Sequence, residues 1–274
     1  GTKGGYLFSW MMDALMLGIG VGFDTLGANT LTVQEPEFTN DIRLVPDSRE
    51  GWVDSVKILL NGYFFGAKVP KFDYSAIRPY GAPIHGFGGT SSGSGPLEEL
   101  HKDLAELYTA RVGEEITSVD IVDTENLIGR CVVAGNVRRS AEIAIGDPDD
   151  FLFMRAKRWD LGGIPNHRAM SNNTIYCDSY DHTSAAFWEG YAGTGEPYGL
   201  FNLPLSEKYG RISDGSLRNS EMYPTNKDNV VGTNPCGEIS LGNYECCNLS
   251  ELYLNNLESK EEMYECAKLL YKAQ

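Results

Sequence analysis

Helical and strand-like segments alternate along most of this chain, and that alternation constrains its fold more than any other feature. Apolar residues at helical spacing, or in short period-two runs, predict these elements. The predicted helices cover residues 7–17, 51–65, 97–112, 117–127, 182–191 and 259–271. The predicted strands cover residues 72–77, 140–145 and 173–176, with a further short one after a turn at 18–24. A chain of this kind is expected to adopt an α/β architecture.

Polar residues at the predicted helix starts support these boundaries. Ser48 is a candidate N-cap for the helix at 51–65, and Asp181 for the helix at 182–191. Ser259 and Glu262 have the Ser-x-x-Glu spacing of a capping box. Residues 206–228 are polar and predict a surface excursion.

Composition excludes several classes of function. The chain has 274 residues, 42% of them hydrophobic, and a formal net charge of -15. So acidic a surface repels a phosphate backbone, which excludes a general nucleic-acid binder, although a loop or helix terminus could still hold a small phosphorylated ligand. No apolar run reaches about 18 residues, so no membrane span is predicted.

The cysteines indicate a reducing compartment, and we expect a cytoplasmic protein. There are six, with no disulfide framework and no Cys-x-x-Cys pair. The four histidines, at 85, 101, 167 and 182, lie far in sequence from the adjacent pair Cys246 and Cys247, so no metal site is predicted. The chain begins at Gly1 without a methionine and stops inside a helical pattern, which leads us to expect a fragment.

Residues 233–239, Thr-Asn-Pro-Cys-Gly-Glu-Ile, carry the sharpest motif. In an extended segment, side chains two residues apart share one face, so Asn234, Cys236 and Glu238 are expected to point into one site. An amide, a thiol and a carboxylate would meet there. The alternative interpretation is a buried cysteine between two surface polar residues on an edge strand.

Two glycine-rich runs allow more than one interpretation. Gly18-x-Gly20-x-Gly22 predicts either a bulge or close approach of another backbone. It lacks the Gly-x-Gly-x-x-Gly spacing of a dinucleotide-binding turn, so a Rossmann dehydrogenase is disfavoured. Residues 81–96 form a Gly/Ser loop that leads into the helix at 97–112. This loop is either a phosphate-binding element or a flexible surface loop.

The segment Asn-Pro-Cys-Gly-Glu-Ile, with a second cysteine at Cys247, resembles the finger loop of ribonucleotide reductases. Its Pro-Cys-Gly form is most similar to the adenosylcobalamin-dependent (class II) ribonucleoside-triphosphate reductases. Other segments resemble that family in the same order: 1–5, 12–24, 81–84, 86–90 and 133–143.

The resemblance implies that residues 1–274 form part of a ten-stranded α/β barrel, with residues 233–239 as its central finger loop. Cys236 would become a thiyl radical and abstract the ribose 3′ hydrogen. Glu238 would take the 3′-hydroxyl proton, and Asn234 would orient the sugar. Cys247 would be one of two cysteines that end as a disulfide. Its partner matches no residue here, so the chain alone is expected to lack a complete site.

The resemblance also implies cofactors, partners and regulation. Adenosylcobalamin would generate the radical, and thioredoxin would reduce the disulfide. A deoxynucleoside triphosphate effector would contact two loops, near residues 86–95 and 135–140, and select among ribonucleoside triphosphate substrates. The effector-contacting residues implied are Gly88, Gly89, Thr90, Ser91, Arg138 and Arg139.

Two alternatives to this function remain at this point. One is the large subunit of a class I reductase, which acts on diphosphates with a separate radical-generating subunit. The other is a split-gene half that binds effector nucleotide and becomes active only with a second chain. For the loop at 135–140, the alternative is a solvated pair of charges at Arg138 and Arg139.

Overall fold

The computed structural model describes residues 4–85, 88–134, 140–209 and 228–273. Helices within these ranges are α1 Gly4–Met16, α2 Arg49–Phe65, α3 Gly95–Thr109, α4 Ser118–Val133, α5 Phe151–Arg155, α6 Ala185–Thr194, α7 Leu203–Tyr209 and α8 Lys260–Ala273. Strands are β1 Val21–Asp24, β2 Glu37–Leu44, β3 Lys68–Asp73, β4 Glu142–Gly146, β5 Ser171–Cys177, β6 Gly199–Asn202, β7 Val230–Thr233 and β8 Ser240–Gly242.

The main sheet has four parallel strands in the order β1-β4-β5-β6. Every residue of β4 is buried, which is usual for a parallel strand covered on both faces. Helices connect these strands, so the predicted α/β class is confirmed.

Two smaller sheets complete the fold. Strands β2 and β3 pair in parallel around α2, which forms a βαβ unit. Strands β7 and β8 pair antiparallel as a hairpin, and this hairpin carries residues 234–239 at its turn.

The largest hydrophobic core lies between α1, α2, α3 and α4. Leu15, Leu60, Leu104 and Ile128 each contribute a side chain with no exposed surface. Full burial of one such side chain stabilises a fold by about 1.5–3 kcal/mol. This core holds α1 firmly, and β1 follows it through a turn at Gly18, whose φ is +84°.

The structure confirms some predicted boundaries. Ser48 caps α2, since its side chain accepts the Gly51 N–H at 3.1 Å. Ser259 accepts the Glu262 N–H at 3.1 Å, but the Glu262 carboxylate accepts from Glu258 rather than from Ser259, so the capping box is confirmed only in part.

Two predicted boundaries are wrong. The strand predicted at 72–77 is already ending, because the Asp73 carboxylate accepts the Ser75 N–H and turns the chain. The cap of α6 is Ser184, which accepts the Phe187 N–H, and Asp181 lies in the preceding 3-10 turn.

None of the helices in the described ranges is long and apolar enough to cross a membrane. Of the polar excursion predicted at 206–228, residues 206–209 belong to α7, and residues 210–227 lie outside the described part of the chain.

Candidate functional site

The finger segment is a tight turn that joins β7 to β8. The Gly237 N–H donates to the Asn234 carbonyl at 2.9 Å, with Pro235 in the second position of the turn. Gly237 has a φ of +79°, a conformation in which glycine is favoured. Pro and Gly are favoured at these positions of a turn.

Asn234 closes this turn twice. Its N–H donates to the Ile239 carbonyl at 3.1 Å, and its side-chain Oδ1 accepts the Ile239 N–H at 3.0 Å. The four residues 235–238 are therefore held between two hydrogen bonds that both involve Asn234. We call residues 234–239 the finger turn.

The expected extended geometry of this segment is wrong. Because the chain turns at Pro235, the alternation of side chains along a strand does not apply to residues 234–238. Asn234 is buried, whereas Cys236 and Glu238 are exposed at the tip. The catalytic roles implied for these three residues stay predictions.

Two glycines of the Gly18-x-Gly20-x-Gly22 run allow the hairpin to lie against β1. A Cβ on Gly22 would lie 2.3 Å from the Thr233 carbonyl oxygen, and one on Gly20 would lie 2.7 Å from Cγ of Pro235. Such distances exclude a side chain at either position without displacement of the hairpin. Of the two interpretations of this run, close backbone approach is therefore the right one.

Side chains from β5 support the other side of the hairpin. Asn172 donates its amide to the Pro235 carbonyl at 2.9 Å, and the Tyr176 hydroxyl donates to the Val231 carbonyl at 2.7 Å. The hairpin thus lies against one face of the parallel sheet, from β1 to β5. Sequence reasoning missed both residues, because nothing in the local pattern links them to a segment some 60 residues away.

Tyr198, just before β6, lies beside the tip. Its hydroxyl is 3.6 Å from the position that a Cβ on Gly237 would occupy. Partial burial raises the pKa of the Tyr198 phenol, and the electrostatic influence of Cys236, Glu196 and Glu238 raises it further. The phenol therefore stays protonated and can act as a hydrogen-bond donor beside the thiol and the carboxylate.

Four of the five remaining cysteines fall into two groups, and the fifth, Cys266, lies on α8. Cys131 and Cys177 are buried in the core, and burial raises the pKa of each thiol. Cys246 is exposed and Cys247 partly buried, in an irregular segment after β8. Nearby Tyr244 packs edge-on against Trp10 of α1, with ring centroids 5.0 Å apart. Within the described ranges, no cluster of His, Cys, Asp and Glu could hold a metal ion.

Comparison with known proteins matches this arrangement to one family. A crystal structure of a B12-dependent (class II) ribonucleotide reductase superposes with a TM-score of 0.69 at 36% identity, covering 89% of this chain and 38% of that one. The family model "B12-dependent ribonucleotide reductase, insertion domain" matches residues 25–108. This chain belongs to the class II ribonucleotide reductases.

Curated relatives agree with that assignment. The adenosylcobalamin-dependent ribonucleoside-triphosphate reductase of Lactobacillus acidophilus is 39% identical over 90% of this chain, and that of Lactobacillus leichmannii is 40% identical over 90%. A probable reductase of the same name from Dictyostelium discoideum is 39% identical over 96%. The chain spans 36–38% of the length of these relatives.

His101 lies in the segment that matches the insertion domain. Its contacts with a serine and a tyrosine are of a kind found in catalytic sites, but the residue is buried in the core. His101 contacts Ser55 Oγ through Nε2 at 3.1 Å and the Tyr74 hydroxyl through Nδ1 at 2.6 Å. Burial lowers the pKa of His101 to about 3, so the ring is neutral. Ser55 donates to the Trp52 carbonyl and has almost no exposed surface, which leaves no access for a substrate.

The first loop expected to contact an effector is folded on itself. Ser91 is buried, its N–H donates to the Ala82 carbonyl, and the Gly88 N–H donates to the Ile84 carbonyl. Gly88 and Gly89 both have positive φ, and Thr90 forms a bridge with Pro83. These contacts argue against the alternative of an unstructured surface loop, and effector contact there stays a prediction.

The N-terminus of α3 has little capacity for phosphate. Pro96 has no N–H, and the N–H groups of Leu97 and Glu98 both donate to the Ser94 carbonyl. Glu98 also places a carboxylate in the first turn, which repels an anion. Phosphate binding at this terminus would need free backbone N–H groups. Three of the first four residues of α3, namely Pro96, Leu97 and Glu98, have no free N–H group.

The second expected loop, with Arg138 and Arg139, lies outside the described residues, but a buried polar network lies just beyond it. Glu142 begins β4 and accepts from Ser140 Oγ at 2.8 Å and from the Asn126 amide at 3.0 Å. Burial raises the pKa of Glu142 to about 8, and burial together with the Glu142 charge raises the pKa of Glu125.

Glu142→Gln should reduce the dependence of stability on pH. In the unfolded chain Glu142 ionises near its ordinary value of 4.5, whereas the folded protein retains that proton up to about pH 8. The folded state therefore binds more protons between these values, so this group's stabilisation is full below the lower one and is lost as pH rises through the higher one. Glutamine cannot ionise and loses no stability in this way.

Thermal melts of wild type and Glu142→Gln between pH 5 and pH 8.5 test this expectation, with Glu106→Gln on the exposed side of α3 as the control for the change of charge. The melting temperature of the wild type should fall relative to Glu142→Gln as pH rises. Parallel curves would show that Glu142 is ionised in the folded protein.

Proposed function

We propose that this chain carries the finger loop of an enzyme that reduces ribonucleoside triphosphates to 2′-deoxyribonucleoside triphosphates, with adenosylcobalamin as cofactor. One observation carries the proposal: in a class II reductase sequence, an exposed thiol and an exposed carboxylate lie two residues apart on a turn fixed against a parallel sheet. The names of the curated relatives, all triphosphate reductases, favour this reading over a class I diphosphate reductase.

The exposed position of Cys236 fits a hydrogen-atom donor. Adenosylcobalamin, when bound, supplies the radical that takes the hydrogen atom from a thiol, and a thiol can meet that radical only if its sulfur is accessible. The Cys236 sulfur then takes the ribose 3′ hydrogen, and the Glu238 carboxylate takes the 3′-hydroxyl proton. We assign the corrin to none of the described residues.

Reduction requires two electrons, which two thiols supply when they form a disulfide. The substrate loses its 2′-hydroxyl as water, and the two cysteines lose two hydrogen atoms. We propose Cys247 as one of them, with a partner cysteine in the complete protein, because Cys131 and Cys177 are buried in the core. A dithiol protein such as thioredoxin would reduce the disulfide again.

The regulatory and cellular parts of the proposal rest on the family resemblance. A deoxynucleoside triphosphate would bind at the loops near 86–95 and 135–140 and shift the choice of substrate. Further sequence or a second chain would complete the barrel. The cysteine content suits a reducing compartment, and we propose the cytoplasm.

The proposed function is tested with the full-length protein, a dithiol and each of ATP, GTP, CTP and UTP. Deoxynucleoside triphosphates should form only when adenosylcobalamin is added, and the corresponding diphosphates should react more slowly. The absence of product from all four triphosphates would contradict the proposal. Preferential reaction of the diphosphates would contradict the triphosphate substrate.

The thiol assignment has its own prediction. Cys247→Ser in the full-length protein should stop repeated turnover with thioredoxin, whereas Cys246→Ser, a matched change at the neighbouring and more exposed cysteine, should be tolerated. Mass spectrometry of the substrate-oxidised enzyme should place the new disulfide on Cys247. A crosslink through Cys246, or one between Cys247 and Cys131 or Cys177, would show that the assignment is wrong.

A further inference from the structure

Tyr198 is a polar residue at the finger turn to which the family resemblance assigns no role. The side chain is 40% exposed, and its hydroxyl lies over Gly237, which separates Cys236 from Glu238. Because Gly237 joins Cys236 to Glu238, the Tyr198 hydroxyl lies next to the part of the turn that carries both.

The backbone that carries this tyrosine is fixed by buried contacts. The Tyr198 N–H donates to the Asn173 carbonyl of β5 at 2.9 Å. The preceding residues are also held: Pro197 is buried, and Glu196 pairs with the buried Lys157 at 2.8 Å. Lys157 in turn donates to the Ser171 carbonyl at 2.6 Å. The phenol therefore projects from a rigid base toward the finger turn.

Asn234, a neutral polar residue of the finger turn, is already engaged within the turn itself. Asn234 is buried, and its Oδ1 already accepts the Ile239 N–H within the turn. Cys236 and Glu238 provide a thiol and a hydrogen-bond acceptor. The Tyr198 hydroxyl, which stays protonated, is the donor that the described structure places beside them.

We propose that the Tyr198 hydroxyl donates a hydrogen bond to the 3′-oxygen of the bound ribose. The inference rests on the proposed function, in which Cys236 and Glu238 act on the 3′ position. The 3′-hydroxyl donates its proton toward Glu238, so its oxygen still has lone pairs for a donor on the other side. Tyr198 thereby recognises a ribose that carries a 3′-hydroxyl.

Equilibrium binding to the full-length enzyme without adenosylcobalamin tests this contact through a double-mutant cycle. The ligands are CTP and 3′-deoxy-CTP, and the proteins are wild type, Tyr198→Phe and the control Tyr191→Phe. Tyr191 lies exposed on α6 and packs against Phe187, away from the finger turn. Tyr198→Phe should weaken CTP binding by about three- to tenfold, the net effect of one neutral hydrogen bond. It should change the binding of 3′-deoxy-CTP less than about twofold, and Tyr191→Phe should affect neither ligand.

Three results would overturn this inference. Unchanged CTP binding in Tyr198→Phe would exclude the contact, and an equal loss for both ligands would assign the effect to packing of the ring. In both cases, CTP reduction by the wild-type enzyme, measured in parallel, would leave the proposed function intact. Wild-type protein that neither binds nor reduces CTP would overturn the proposed function and this inference with it.

Discussion

Cys236→Ser should abolish deoxynucleotide formation by the full-length protein, with a fall of about a thousandfold or more, as expected when the reacting group itself is removed. Serine keeps the size and polarity of the residue, but its O–H bond is too strong to exchange a hydrogen atom reversibly with the ribose. Stability should hardly change, because Cys236 is exposed at the turn, and surface substitutions usually alter the free energy of unfolding by less than about 0.5 kcal/mol.

A matched control is Cys266→Ser, a change at a partly exposed cysteine on α8. This variant should retain wild-type activity in the same assay. Nucleotide binding by Cys236→Ser should match that of the wild type, which separates loss of chemistry from loss of folding. Substantial product from Cys236→Ser would show that another group carries the radical.

Gly22→Ala should damage both the stability and the activity of the protein. The added Cβ would lie 2.3 Å from the Thr233 carbonyl oxygen and 3.2 Å from Cγ2 of Ile143. Neither strand can yield easily, because β1 is paired with β4 along its whole length and β7 is held through Tyr176. Overpacking of this kind costs about 1–3 kcal/mol. Displacement of the hairpin should also lower kcat by about tenfold or more, since small misplacements of reacting groups slow catalysis strongly.

The control for this change is Gly27→Ala, where a Cβ would meet no atom within 4 Å. Urea unfolding should show a lower midpoint for Gly22→Ala and an unchanged one for Gly27→Ala. If Gly22→Ala were as stable and as active as the wild type, the close contact between β1 and the hairpin would not exist in solution.

Local patterns in the sequence predict much of this fold but not its site. Ser48 and the buried apolar positions of α2 define that helix without any tertiary information. The strand β2 was not predicted, because all but one of its eight residues are exposed and no period-two burial pattern marks it. In the finger turn, Pro235 and Gly237 are residues that favour turns. The expectation of an extended segment did not take them into account.

The chemistry of the site depends on contacts that no local pattern contains. Asn172, Tyr176 and Tyr198 reach the hairpin from β5 and the start of β6, far away in sequence. Their residue types are common in strands and turns. Only the pairing of the parallel strands brings them together beside the hairpin.

The double closure at Asn234 affects the entropy of the reaction. Fixing the backbone of one residue costs about 1–2 kcal/mol of conformational entropy, and the finger turn holds four residues between its two hydrogen bonds. This conformational entropy is lost once, when the protein folds, and not each time a nucleotide binds. A longer or open loop would have to be ordered in every catalytic cycle, and binding energy would be lost to that ordering. The short length of the turn therefore favours a fast approach of the thiol to the sugar.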